Sequence, residues 1–128
     1  MIAQMDGISD PHRPTVVALA SPPGMGAVSL IRISGPKAVA IADGATEGFA
    51  GSLPPRVVGY CKITDEQGAI IDDGLLTVFR GPRSYTGEDC VEFTGHGGIL
   101  VTREVLGRFL QCGAEPAGPG EFTRRAFL

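Results

Sequence analysis

The sequence predicts an α+β (mixed α/β) domain in which a mixed or antiparallel sheet of about five strands packs with two to three helices. Short β-branched runs bounded by glycine and proline recur along the chain. Two segments, at 36–43 and after Gly98, carry helical signals instead. Gly 19 and Pro 10 among 128 residues punctuate the chain too often for a long helical bundle. With 43% hydrophobic residues, a chain of this length buries roughly two-thirds of its unfolded surface. One domain over 15–128, after a flexible leader over 1–14, is the expected organisation.

The leader carries Asp6, Asp10, His12 and Arg13 and shows neither helical nor strand periodicity. Residues 15–20 (TVVALA) then read as a strand, closed by Ser21-Pro22-Pro23-Gly24, where two prolines remove ladder donors. Residues 27–33 resume an apolar run. Ser34-Gly35-Pro36 supplies a capping hydroxyl and a first-turn proline for a short helix over 36–43 that stops near Gly44. Residues 56–64 and 69–79 are β-formers joined by the turn Asp65-Glu66-Gln67-Gly68, a hairpin pattern. Residues 89–96 alternate: Val91 and Phe93 face one way, Cys90, Glu92, Thr94 and His96 the other. After Gly97-Gly98, Val101, Val105, Phe109 and Cys112 recur at helical spacing up to Gly113. The last ten residues start a new apolar pattern that ends without a cap, as in a chain cut from a longer protein.

Composition excludes several classes. Eleven Lys and Arg against 14 Asp and Glu give a net charge of −3, no surplus for a phosphate backbone or an anionic membrane. The apolar runs fall far short of the ~20 residues of a membrane helix, so no membrane contact and a soluble, cytoplasmic protein are expected. Cys61, Cys90 and Cys112 are odd in number and form no CxxC pair, which predicts reduced thiols rather than disulfides or a zinc site.

Few residues point to chemistry. The glycines at 24 and 26 follow a strand, but the segment lacks both the P-loop pattern and the third glycine of GxGxxG, so a structural turn is expected. Arg32 interrupts the apolar run Leu30-Ile31-Arg32-Ile33, where a guanidinium needs an anion or an open face. It is either a structural ion pair or a fork that clamps a carboxylate or stacks on a planar ring. Glu92 lies mid-strand on the polar face, either solvated or accepting paired N–H donors from a heterocycle such as a pterin or guanine. His96, at a strand-to-helix junction, reads as a packing or capping residue. Glu88 and Asp89 are adjacent and diverge if extended. No catalytic residue, metal cluster or paired-carboxylate arrangement stands out.

Read together, Ser21-Pro22-Pro23-Gly24-Met25-Gly26, Leu30-Ile31-Arg32-Ile33-Ser34-Gly35, Ser84-Tyr85-Thr86-Gly87-Glu88-Asp89, Glu92-Phe93-Thr94-Gly95-His96-Gly97-Gly98 and the final Pro119-Gly120-Glu121-Phe122-Thr123-Arg124-Arg125-Ala126-Phe127-Leu128 resemble the N-terminal domain of the MnmE/TrmE family of tRNA-modification GTPases. The resemblance spans 21–128 and departs from the family at Met25, where many members carry a basic residue. It implies a fold similar to the folate domain of aminomethyltransferases, binding of 5-formyltetrahydrofolate or another tetrahydrofolate, and a homodimer. It also implies work with the flavoprotein MnmG on carbon 5 of the wobble uridine of tRNA, the folate supplying a one-carbon unit. The family's folate-contacting arginine falls on Arg32 and its glutamate on Glu92; a third contact, a lysine, falls beyond Leu128. GTP, Mg and K belong to a GTPase domain that follows this segment in the family. Two alternatives are a free-standing one-carbon transferase and a dimerisation module with a vestigial folate pocket.

Overall fold

A computed structural model describes residues 12–21 and 27–127. Most of the leader and the glycine turn at 22–26 lie outside the described residues. Ten elements follow one another: β1 (Val16–Leu19), β2 (Val28–Ser34), α1 (Ala38–Ala45), α2 (Phe49–Ser52), β3 (Gly59–Thr64), β4 (Ile70–Phe79), β5 (Cys90–His96), α3 (Ile99–Gln111), β6 (Glu115–Pro116) and α4 (Glu121–Ala126). The strands form one sheet in the order β3-β4-β5-β2-β1-β6. Every pairing is antiparallel except that of β6 with β1.

The α+β reading holds, with one strand and one helical turn more than the periodicities reveal. β6 is two residues long and α2 four, too short for any repeat to register. The hairpin is as expected: the Asp65 side chain accepts the Gln67 and Ala69 N–H groups, and Gly68 takes φ +85°. The N-terminus of α1 differs from expectation. Ser34 does not cap it; the Lys37 N–H instead donates to Thr15 Oγ1 at 2.9 Å, and the Ser34 hydroxyl is drawn into a buried network at Glu88. On α3, Thr102 rather than Val101 is the buried residue of the first turn, with Val105 and Phe109 below it.

Strand alternation gives the sheet two unlike faces. Val17, Ile31, Ile33, Leu76, Val78, Val91 and Phe93 point to the core, where Ala38, Ile41, Ala42 and Ala45 of α1 and Val105 and Phe109 of α3 meet them. Each fully buried Ile or Phe there contributes roughly 1.5–3 kcal/mol. The strands approach closely at Gly74, where a Cβ would collide with the Thr94 carbonyl. The opposite face carries Tyr60, Leu75, Thr94 and Leu30 in one cross-strand row and Thr77, Glu92, Arg32 and Ala18 in the next. Among the described residues, the Ser34–Cys90 end of this face is roofed by α4 and the loop between β4 and β5.

Candidate functional site

Arg32 and Glu92 are direct cross-strand partners on β2 and β5. The sequence singled them out separately; antiparallel register puts them side by side. Arg32 directs Nε (3.0 Å) and Nη2 (2.9 Å) at the same oxygen, Oε2 of Glu92. Oε1 accepts no hydrogen bond among the described residues. Both side chains are partly accessible, 17% for Arg32 and 24% for Glu92. Because an ionised carboxylate offers about four lone-pair positions, Glu92 can keep its arginine and still accept two donors from a guest.

Two aromatic rings complete the setting, and neither was singled out from the sequence. The Arg32 guanidinium carbon lies 4.9 Å from the Tyr85 ring centre and 5.3 Å from that of Phe122, a cation–π contact with two neighbours. Tyr85 comes from the loop after β4, which is pinned where Asp89 accepts Arg80 and the Gly81 N–H and where the Ser84 hydroxyl donates to the Glu88 carbonyl. Phe122 comes from α4. An aromatic residue in a loop or in a helix of six residues gives no periodic signal, so only the tertiary arrangement reveals either ring.

Two cavities meet at Tyr85. One, about 590 Å³, is lined by Arg32, Tyr85, Phe122, Leu19 and the 117–120 loop. The other, about 480 Å³, is lined by Glu92, Tyr85, Phe79, Pro82, Arg56 and Arg83. Tyr85 borders both. A third cavity, about 490 Å³ between α2 and β3, contains neither Arg32 nor Glu92.

Beneath α4 lies a second, buried Arg–Glu pair that the sequence did not reveal. Arg125 Nη1 meets Glu88 Oε1 at 2.7 Å, with side chains 3% and 1% exposed. Glu88 also accepts the Ser34 hydroxyl at 2.7 Å and faces Arg13 at 3.4 Å. Arg125 further donates to Glu121, to the Ser34 carbonyl and to the Pro14 carbonyl. Burial works against its charge, but Glu121 and Glu88 together outweigh that and raise its pKa. Arg124 and Arg125 in turn hold the Glu121 carboxyl down to about 2. This network fastens α4, and with it Phe122, over the sheet.

His96 stands at the opposite end of the face. Its Nδ1 lies 2.6 Å from Asp72 Oδ1, and its backbone N–H donates to Asp72 Oδ2 at 3.1 Å. The imidazole therefore caps a buried carboxylate, and that hydrogen bond raises its pKa above 6.5. Asp72, Asp73 and His96 form the one group of metal-ligand type among the described residues, their ligand atoms within 4.8 Å of one another. Each already has a partner of its own, Asp72 with His96 and Asp73 with the Tyr60 hydroxyl at 2.6 Å. Cys61 is buried, which pushes its thiol up to about 11. No helix among the described residues is long and apolar enough to cross a membrane.

Residues 15–128 match the family model described as GTP-binding protein TrmE N-terminus. The chain belongs to the TrmE N-terminal family. Curated relatives agree: it is 49% identical over 122 residues to the tRNA modification GTPase MnmE of Akkermansia muciniphila, covering 94% of this chain and 27% of the relative. It is 46% identical over 123 residues to the MnmE of Halorhodospira halophila, with 95% and 25% covered. Against the MnmE of Neisseria meningitidis serogroup A the figures are 49% over 116 residues, 90% and 25%. The chain thus spans about a quarter of the length of the relatives it matches. Both predicted anchors, Arg32 and Glu92, and both newly found rings, Tyr85 and Phe122, lie inside the TrmE N-terminal match.

Proposed function

We propose that this chain is the tetrahydrofolate-binding and dimerisation part of a tRNA modification GTPase, with Glu92 and Arg32 anchoring the folate. The observation that carries the proposal is the spare oxygen of Glu92. Glu92 lines a cavity walled by Phe79 and Tyr85, while Arg32 holds its other oxygen, Oε2. An ionised carboxylate with one oxygen to spare, beside aromatic walls, suits a flat heterocycle that presents adjacent N–H donors, as a reduced pterin does. A bound folate supplies a one-carbon unit; the chain's own residues bind and orient it, and none is assigned a catalytic step.

Dimerisation has its own support in the open sheet face. Tyr60 (57% exposed) and Leu75 (48%), paired across β3 and β4, and Val28 (59%) on β2 beyond β5 give this face exposed apolar side chains of the kind that meet a partner. GTP hydrolysis with Mg and K, action with MnmG on the wobble uridine of tRNA, and a cytoplasmic setting complete the reading. The relatives' names support GTPase activity and tRNA modification; Mg and K, action with MnmG on the wobble uridine and the cytoplasmic setting rest on the family resemblance rather than on residues of this chain.

Calorimetric titration with 5-formyltetrahydrofolate tests the anchors. Glu92→Gln, which replaces one acceptor oxygen by a donor, is expected to lower affinity by roughly two orders of magnitude or more, the discrimination typical of a paired polar contact. Wild-type affinity in Glu92→Gln overturns the assignment.

A further inference from the structure

The cavity that holds Glu92 also collects cations without carboxylate partners. Arg13, Arg32, Arg80, Arg108, Arg124 and Arg125 each donate to a carboxylate, a carbonyl or a side-chain amide. Arg103 points away from the buried side of α3. The remaining two arginines, Arg56 and Arg83, make no side-chain hydrogen bond or ion pair among the described residues, and both line the 480 Å³ cavity beside Glu92. The one carboxylate in that lining is already neutralised by Arg32. A chain of net charge −3 therefore holds a local excess of two positive charges at one cavity, which attracts anions.

The placement of Arg56 is constrained. It takes φ +61°, uncommon for a residue with a side chain, and its N–H donates to the Val78 carbonyl at 2.7 Å. The bond to β4 fixes its backbone beside the strand whose last residue, Phe79, forms part of the cavity wall. Arg83 arrives on the same loop as Tyr85, pinned through Asp89 as described above. Glu92 and the two arginines thus give the cavity opposite polar preferences: an acceptor for N–H groups and donors for an anion, with aromatic walls completing the lining.

We propose that Arg56 and Arg83 form an anion subsite that takes the carboxylates of a ligand whose flat head is held by Glu92. This rests on the folate-binding reading above and extends it to the glutamyl tail: a ligand with a longer chain of carboxylates gains affinity through these two arginines. Arg32 accordingly orients Glu92 and leaves the tail to others.

The test is calorimetry on the chain with three probes: 6-methyltetrahydropterin, which lacks a tail, 5-formyltetrahydrofolate with one glutamate, and the same compound with three. The wild type is expected to favour them in that rising order. Arg56→Gln/Arg83→Gln is expected to lose roughly ten-fold in affinity for the monoglutamate, to lose the triglutamate advantage and to leave the tail-less pterin unchanged, with Arg103→Gln as an inert control. Retention of wild-type affinity for both glutamylated probes by the double variant overturns this subsite and leaves the head assignment standing. Unchanged pterin affinity in Glu92→Gln overturns the head assignment instead, and no binding of any probe to the wild type overturns both.

Discussion

The same sheet face carries two Arg–Glu pairs with nearly equal contact distances, 2.7 Å for Arg125–Glu88 and 2.9 Å for Arg32–Glu92, yet their surroundings give them opposite uses. Arg125–Glu88 is sealed under α4, and its remaining donors and acceptors are taken by Ser34, Pro14, Glu121 and Arg13. Arg32–Glu92 lies in the open, touches two rings and keeps one carboxylate oxygen unengaged among the described residues. A saturated buried pair locks structure, because losing either partner strands a charge away from water. A half-open pair with acceptor capacity left over can bind.

Breaking the buried pair is expected to have the largest effect. Arg125→Met leaves the Glu88 carboxylate buried with hydroxyl neighbours and only the longer, 3.4 Å contact with the part-exposed Arg13, and is expected to destabilise the chain by about 3–5 kcal/mol in urea unfolding. Adding Glu88→Leu removes the stranded charge and restores most of that loss. A cost below about 1 kcal/mol for the single variant places Arg125 outside the structural lock.

The same comparison shows what the sequence made legible. Residues 89–96 alternate cleanly, so the polar face of β5 and the position of Glu92 on it follow from a period of two. Arg32 is conspicuous as one charge in an apolar run, and the Asp65–Gly68 turn has chemistry specific to a reversal. Arg125 offers no such sign: it follows another arginine in a short segment, and only its contact with Glu88, 37 residues away, makes it a buried residue. Tyr85 and Phe122 are hidden for the same reason, since their role depends on a loop and a short helix meeting above Arg32. The Ser34 hydroxyl misleads: its sequence position fits a helix cap, but a buried carboxylate competes for it and wins. Local pattern thus identifies which residues lie on the open face, whereas tertiary satisfaction of charge decides which of them are locked.

Opening the half-open pair sharpens the contrast at a smaller scale. Arg32→Met is expected to cost about 1 kcal/mol or less in stability, because Glu92 remains accessible to water, while weakening the tetrahydrofolate binding proposed above by releasing the carboxylate that Arg32 orients. Parallel urea unfolding and calorimetry read the two effects separately. A stability loss matching that of Arg125→Met contradicts the division between lock and site.

His96–Asp72 is an intermediate case and the smallest expected effect, with a buried carboxylate at 4% and an imidazole at 67% side-chain exposure. The Asp72 hydrogen bond raises the folded-state pKa of His96 above its ordinary 6.5, so the folded chain holds the proton more tightly than the unfolded one. That stabilisation is complete below about pH 6.5 and is lost as pH rises through the higher folded-state value. The difference in melting temperature between the wild type and His96→Ala is therefore expected to be largest at pH 5.5–6 and to shrink towards pH 8. Because the ring is exposed, added salt is expected to reduce the low-pH difference further, whereas salt should leave the Arg125→Met deficit nearly unchanged. A difference that grows with pH reverses the sign and removes the charged imidazole from the account of this end of the sheet.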